Sequence, residues 1–143
     1  MKILQILVLC VSIFVFASCT SNGKKYSPDK EHEVYYKGDG VDESNAKKLF
    51  DYLKAEHYFS DNHPATVQIV KTKDTFSLNF VYDKSSVDAD REAKFIVFGG
   101  QIARDVFGGG PINLHLCDRE MVMFKDLGYV KPAQAEEPAQ DNK

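Results

Sequence analysis

Alternation of apolar and polar side chains on both sides of a turn, in residues 66–69 and 75–80, constrains the fold of this 143-residue chain more than any other feature. Every second side chain in residues 75–81 is large and apolar, which is the pattern of a strand with one buried side. In the segment 66–71, Val67 and Ile69 alternate with Gln68, and the turn residues Thr72-Lys73-Asp74 join the two segments. Together they predict a β-hairpin with one covered face. The inward positions are Val67, Ile69, Phe76, Leu78 and Phe80.

Segments with helical spacing flank the hairpin on both sides. An apolar stripe predicts a first helix over about residues 43–57, and a longer stripe predicts a second over about residues 87–106. Gly108-Gly109-Gly110-Pro111 ends the second helix. The pair Gly99-Gly100 inside it costs roughly 1 kcal/mol per glycine relative to alanine. It indicates close packing of the helix on the sheet, with a hinge as the alternative. The first stripe consists of Ala46, Leu49, Phe50 and Leu53.

Three further short strands complete the predicted element order. They are expected near residues 34–36, 112–117 and 121–125. The order strand, helix, strand, strand, helix, strand, strand predicts an α+β fold. Its first six elements match a single ferredoxin-like βαββαβ sandwich, here with an extra C-terminal strand. Right-handed crossovers in that arrangement place both helices on one sheet face.

Two segments carry a resemblance to known proteins. They are residues 34–53, VYYKGDGVDESNAKKLFDYL, and residues 100–118, GQIARDVFGGGPINLHLCD. Together they resemble an uncharacterised family of small bacterial domains that follow an N-terminal membrane segment or other membrane anchor. No activity is assigned to that family, so the resemblance implies no catalytic residue.

The apolar run Leu7–Cys19 indicates export and anchorage. Lys2 precedes the run, and small residues lie before its end, as in an export signal. Phe16-Ala17-Ser18-Cys19 resembles a bacterial lipobox, which implies lipid on Cys19. The alternative, an uncleaved membrane helix over residues 3–18, is shorter than the roughly 20 apolar residues of a membrane span. The expected organisation is a signal peptide at 1–18, a flexible tether at 19–30, an α+β domain at 31–130 and a disordered tail at 131–143.

This organisation predicts a protein of the cell envelope, held at the membrane through lipid on Cys19. Thr20 stands where an inner-membrane retention signal has Asp, which favours the outer membrane. The formal net charge of −3 argues against a nucleic-acid partner, since such proteins present a basic face. Once the signal peptide is removed and Cys19 carries lipid, Cys117 is the remaining thiol.

The predicted helix-free face of the sheet is the candidate binding surface. Strand periodicity places His115 and Cys117 on it, where they could contribute two metal ligands, but zinc sites need three or four. A half-buried thiol beside an ordinary histidine is therefore the preferred interpretation, and neither a metal nor a cofactor is predicted. No catalytic constellation is recognisable, since no Ser lies in a nucleophile elbow. The surface is formed by Gln68, Asn79, Asn113, His115 and Cys117, with Ser77.

These features predict a bacterial envelope lipoprotein that is not an enzyme. Its expected role is a non-catalytic interaction or accessory module with an envelope protein partner. The alternative is a protein that binds a small ligand or a metal on the open sheet face. A deep pocket with converging titratable groups would favour the alternative, and a shallow surface with an apolar patch would favour the interaction module.

Overall fold

Six strands and two helices form the part of the chain that the computed structural model describes, residues 22–134. The strands are β1 (Lys24–Tyr26), β2 (His32–Lys37), β3 (Ala65–Thr72), β4 (Thr75–Val81), β5 (Ile112–Cys117) and β6 (Met123–Val130). The helices are α1 (Glu43–Ala55) and α2 (Ala89–Asp105), and a short 3₁₀ turn covers Lys84–Ser86. The predicted signal peptide at 1–18 and Cys19 lie outside the described residues.

The six strands form one mixed sheet in sequential order, β1 to β6. β2 and β3 are parallel and joined through α1, and β4 and β5 are parallel and joined through α2. The other neighbouring pairs are antiparallel. The α+β class is therefore confirmed, but the ferredoxin-like topology is not found. That topology interleaves the strands of its two βαβ units, whereas here the units lie side by side and a strand is added at each edge.

Both helices pack on the same face of the sheet. The Tyr52 ring of α1 stacks on the Phe98 ring of α2 at 6.2 Å between centroids. Each crossover connects a strand to its next neighbour in the same direction across the sheet, β2 to β3 and β4 to β5. Because β3 and β4 are antiparallel, the strands of the second βαβ unit run opposite to those of the first. Helices on one face then require crossovers of opposite hand, so one of them is left-handed, which is rare. The expectation of two right-handed crossovers is wrong for this sheet.

Helix α1 begins at a capping box formed by Asp42 and Asn45. The Asp42 carboxylate accepts the backbone N–H groups of Ser44 and Asn45, which otherwise lack partners inside the helix. All four residues of the predicted stripe are buried against the sheet. Local periodicity was therefore sufficient to locate this helix and its buried face.

Helix α2 uses its two central glycines for two different contacts. A Cβ on Gly99 would lie 2.9 Å from Cδ2 of Leu114, so the helix backbone packs directly on β5. A Cβ on Gly100 would lie 3.1 Å from the carbonyl oxygen of Lys131, in the segment that follows β6. Both close approaches support the packing interpretation of the glycine pair rather than the hinge.

The segments before and after the predicted domain are more ordered than expected. Lys24–Tyr26, placed in the tether, forms edge strand β1 beside β2. Residues 131–134, placed in the tail, cross to α2, where the backbone N–H of Ala133 donates to the carbonyl of Gly100 over 2.9 Å. Neither contact could be predicted from composition, because each depends on a partner distant in sequence.

Candidate functional site

The helix-free face of the sheet carries one row of polar side chains across four strands. Strand register places Gln68 of β3, Asn79 of β4, His115 of β5 and Asp126 of β6 side by side. Opposed residues on neighbouring strands bring their side chains within contact distance. We call this helix-free side the open face, and the four residues the polar row.

Three members of the polar row, Gln68, Asn79 and His115, form a continuous hydrogen-bonded chain. The Asn79 amide Nδ2 donates to Oε1 of Gln68 over 2.8 Å. Its Oδ1 lies 2.8 Å from Nδ1 of His115. Because a carbonyl oxygen can only accept, Nδ1 of His115 is the donor in this contact. Nε2 of His115 lies 3.7 Å from Oδ1 of Asp126.

Gln68 also holds the segment that precedes β1. Its Nε2 donates to the backbone carbonyl of Asn22 over 2.8 Å, and the side chain is buried, with 3% of Gln68 exposed. Gly23, next in the chain, has a positive φ of 95° and approaches the carbonyl of Tyr36 so closely that a side chain would not fit. Asn22 was absent from the predicted surface because it lies in a segment without periodicity.

Two exposed apolar side chains border the polar row. Tyr129, opposite Asn113, is 59% exposed, and Met123, opposite Cys117, is 52% exposed. Tyrosine and methionine are enriched at protein interfaces. The predicted surface residue Asn113 lies in this neighbouring row beside Ser77, outside the hydrogen-bonded chain.

Cys117 does not take part in the site. It lies on the open face by register, but only 1% of it is exposed. Burial, with a smaller contribution from Asp118, raises the pKa of the thiol to about 11. The expectation of a half-buried, reachable thiol is therefore wrong. Its neighbours in the register are Val81 and Met123, so the thiol serves as a small apolar side chain.

The open face offers few groups that could bind a cation. His115 Nε2 and the Asp126 carboxylate lie near each other, but they supply only two ligands. Within residues 22–134, no group of three or more His, Cys, Asp or Glu side chains is arranged to hold a metal ion. In the same residues, no helix is long and apolar enough to cross a membrane.

Two adjoining clefts lie at one end of the sheet and were not predicted. They occupy about 560 and 640 Å³ and share Tyr58 and Tyr82. We call this the cleft end; it holds the carboxyl ends of β4 and β5 and the first turn of α2. Arg91 of α2 contacts the Tyr82 hydroxyl through Nη1. Both tyrosines lie outside the predicted strands and helices, where periodicity gives no signal.

A buried histidine near the cleft end holds the start of β2 in place. His32 is fully buried, with Nδ1 2.7 Å from the Asp29 carboxylate and Nε2 3.0 Å from the Ser60 carbonyl. Partial burial acts to raise the pKa of Asp29, but hydrogen bonds from His32 and Lys54 outweigh it and hold the pKa below its ordinary value. Each ring nitrogen of His32 lies within hydrogen-bond distance of an oxygen acceptor, one on the Asp29 side chain and one on the Ser60 backbone.

Comparison with known proteins identifies one family. The model of a family N-terminal domain, AF_1994_N, matches residues 29–129, which cover both helices and five of the six described strands apart from the last residue of β6. No curated protein and no solved structure matches the chain.

Proposed function

The chain belongs to the AF_1994_N family, and from this premise we propose that it is a lipid-anchored, non-catalytic interaction module of the bacterial cell envelope. Lipid on Cys19 holds the domain at the membrane, with the outer membrane favoured. The open face binds an envelope protein partner. The proposal rests on two features. One is the lipobox-like segment, which lies outside the described residues, and the other is the set of side chains exposed on the open face within residues 22–134.

The arrangement of the open face carries the proposal. Tyr129 and Met123 stand exposed beside a polar row whose inner members are already hydrogen-bonded to one another. The hydrogen-bonding groups of the Gln68 and Asn79 side chains already have partners within the domain. A bound protein can therefore cover these side chains without leaving one of those groups unpaired. His115 Nε2 and Asp126 remain for hydrogen bonds to the partner.

The dimensions of the open face suit a protein contact. Six strands spaced about 4.8 Å apart span about 24 Å, and six residues along a strand span about 20 Å. Such a patch covers about 480 Å², the size of a weak or transient protein contact, and is smaller than the roughly 800 Å² per side of a standard interface. A flat surface of this kind suits a protein better than a small ligand, which is usually enclosed in a pocket.

Crosslinked native envelopes test the binding proposal. The lipidated chain carrying Tyr129→Ala is compared with Val97→Ala, a matched control on the outer surface of α2 whose side chain is 62% exposed. We expect one defined crosslinked partner with the unmodified chain and with Val97→Ala, and its loss with Tyr129→Ala. Equal recovery of that partner with both variants would contradict the assignment of the open face.

Acyl labelling tests the anchorage separately. Several acyl chains are needed for stable anchoring, because one chain binds a membrane only marginally. Cys19→Ala should abolish acyl labelling and leave an uncleaved or slowly processed precursor. Normal maturation with unchanged labelling of this variant would refute the lipid anchor.

The clefts favour binding of a small ligand as a second candidate function. Tyr58, Tyr82, Phe95 and Phe98 supply aromatic walls to the 560 Å³ cleft, and Arg91 adds a charged donor. This moves the alternative from the open face, where it was predicted, to the cleft end. Arg91→Ala separates the two candidates, because it should abolish a function of the cleft and leave partner recovery through Tyr129 unchanged.

A further inference from the structure

Exposed lysines cluster at the end of the sheet opposite the clefts. Strand register places the start of β1, the ends of β2, β3 and β6, and the start of β5 together at this end. We call it the lysine end. Its exposed lysines are Lys24, Lys37, Lys73 and Lys131.

These four lysines differ from most other lysines in their pairing. Within residues 22–134, none of the four forms an ion pair, whereas Lys25, Lys47, Lys54, Lys94 and Lys125 each contact a carboxylate. Lys71, near the same end, lies with Nζ 5.1 Å from the centre of the Phe76 ring. Unpaired ammonium groups remain available to an external anionic surface.

Acidic residues at the lysine end are fewer than at the cleft end. Asp39 and Asp74 lie in its turns, Asp42 and Glu43 begin α1, and Asp105, which ends α2, pairs with Arg104. The cleft end also carries cations, Lys30, Lys54, Lys84, Arg91 and Arg119, but its carboxylates outnumber them. The charge of the domain is therefore unevenly distributed along the strand direction. Carboxylates at the cleft end belong to Asp29, Glu31, Glu56, Asp61, Asp83, Asp88, Asp90, Asp118 and Glu120.

The first described residues of the chain, 22–24, lie near the lysine end. Asn22 is held by Gln68, and Gly23 and Lys24 lie beside Tyr36 and Lys37. Three residue steps separate Cys19 from Asn22, a distance of at most about 10 Å for an extended chain. An acyl anchor on Cys19 would thus hold this end, and not the cleft end, at the membrane.

We propose that the lysine end rests on the headgroups of anionic phospholipids, so that the cleft end points away from the membrane. This inference relies on the proposed lipid anchor at Cys19. The acyl chains supply the attachment, and the four lysines set its orientation by attraction to the anionic surface. Repulsion of the carboxylates at the cleft end favours the same orientation. The open face then stands steeply to the membrane, accessible to a partner from the side.

Quenching of site-specific fluorophores tests the orientation. The full acylated chain is reconstituted into vesicles of phosphatidylethanolamine and phosphatidylglycerol that contain a headgroup-labelled quencher lipid. A fluorophore is attached at Thr72→Cys, the last residue of β3 at the lysine end, or at Glu120→Cys, in the turn at the cleft end. Cys117 is buried and Cys19 is blocked by its lipid, so labelling is selective. We expect strong quenching at position 72 and little at position 120.

Charge variants identify the cause of the orientation. The double variant Lys37→Glu, Lys73→Glu should lose most of the quenching difference between the two positions, as should vesicles of phosphatidylcholine alone. Lys84→Glu, an exposed lysine at the cleft end, is the matched control and should retain the difference. Equal quenching at both positions in acylated protein would overturn the orientation while leaving the anchor intact. A chain without acyl label would overturn the anchor and this inference together.

Discussion

The side-chain amide of Asn79 donates a 2.8 Å hydrogen bond to Oε1 of Gln68. Its carbonyl oxygen accepts from Nδ1 of His115 at the same distance. Asn79 therefore links β3, β4 and β5 through a single side chain on the open face. The hydrogen-bonded chain of the polar row depends on this residue for its continuity.

Asn79→Ala should destabilise the domain because it leaves Gln68 Oε1 and His115 Nδ1 without their partners. An unsatisfied, partly buried polar group costs about 1–3 kcal/mol, and we expect a loss of unfolding free energy in that range. Ser77→Ala, on the same strand and face, should change it by less than about 0.5 kcal/mol. Urea denaturation measures the free energy of unfolding of both variants. Equal losses would show that the hydrogen bonds of the polar row make no specific contribution to stability.

Gly38→Ala should destabilise the loop between β2 and α1 through a backbone clash. Gly38 has a φ of 112°, and a Cβ there would lie 2.2 Å from the carbonyl oxygen of Lys71. Gly108→Ala is the matched control, because Gly108 also has a positive φ, 71°, but a Cβ there would meet no atom within 4 Å. Backbone strain alone costs about 1–3 kcal/mol, and Gly38→Ala should exceed that range while Gly108→Ala stays within it. Similar denaturation midpoints for the two variants would refute the close contact.

Acid should weaken the domain through Asp29. The folded pKa of Asp29 is lowered, so its ionised form stabilises the fold above its unfolded pKa of about 3.9, and the stabilisation is lost as the pH falls below that value. Asp29→Asn should lower the unfolding free energy at neutral pH by about 1.5–3 kcal/mol, the worth of hydrogen bonds to charged groups. It should also flatten the fall below pH 4.

The control for Asp29 is Asp61→Asn, since Asp61 also contacts Lys54 but its side chain is 94% exposed. That variant should keep the stability of the unmodified chain and its acid dependence. Denaturation curves recorded at a series of pH values give both quantities. An unchanged acid slope in Asp29→Asn would show that hydrogen bonds from His32 and Lys54 do not hold the pKa of Asp29 below its ordinary value.

Alkali should weaken the domain through Cys117. Its folded pKa is raised to about 11, so above the unfolded thiol pKa of about 8.5 the unfolded chain loses this proton first and stability falls as the pH rises. Cys117→Ala should remove this part of the pH dependence, which is measured as the difference between the two chains from pH 8 to 11. The folded thiol should also resist alkylation at pH 8, and rapid modification of folded protein would contradict its burial.

Local patterns predicted the elements whose evidence lies within a few residues. Helix α1 follows from its capping residue and its apolar stripe, and the hairpin of β3 and β4 follows from alternation on both sides of a turn. The polar character of the open face followed from the same alternation. The pairing of Gln68 with Asn79 depends only on that hairpin, so both residues could be assigned to the candidate binding surface from the sequence.

Features that depend on distant parts of the chain could not be predicted in the same way. The strand order and the hand of the crossovers depend on which strands become neighbours, which no local pattern records. Burial of Cys117 and the contact of Gln68 with Asn22 arise only when the sheet is assembled. The clefts were missed because Tyr58 and Tyr82 lie in connecting segments.

Site-directed photocrosslinking in the native envelope tests the central claim most directly. A photoreactive residue replaces Asn113, in the middle of the open face, or Val97, on the exposed surface of α2, in the full acylated chain. We predict that position 113 gives a defined protein adduct, that Asn79→Ala weakens the adduct, and that position 97 gives none. An adduct from position 97 alone, or equal adducts from both positions, would contradict an interaction module that works through its open face.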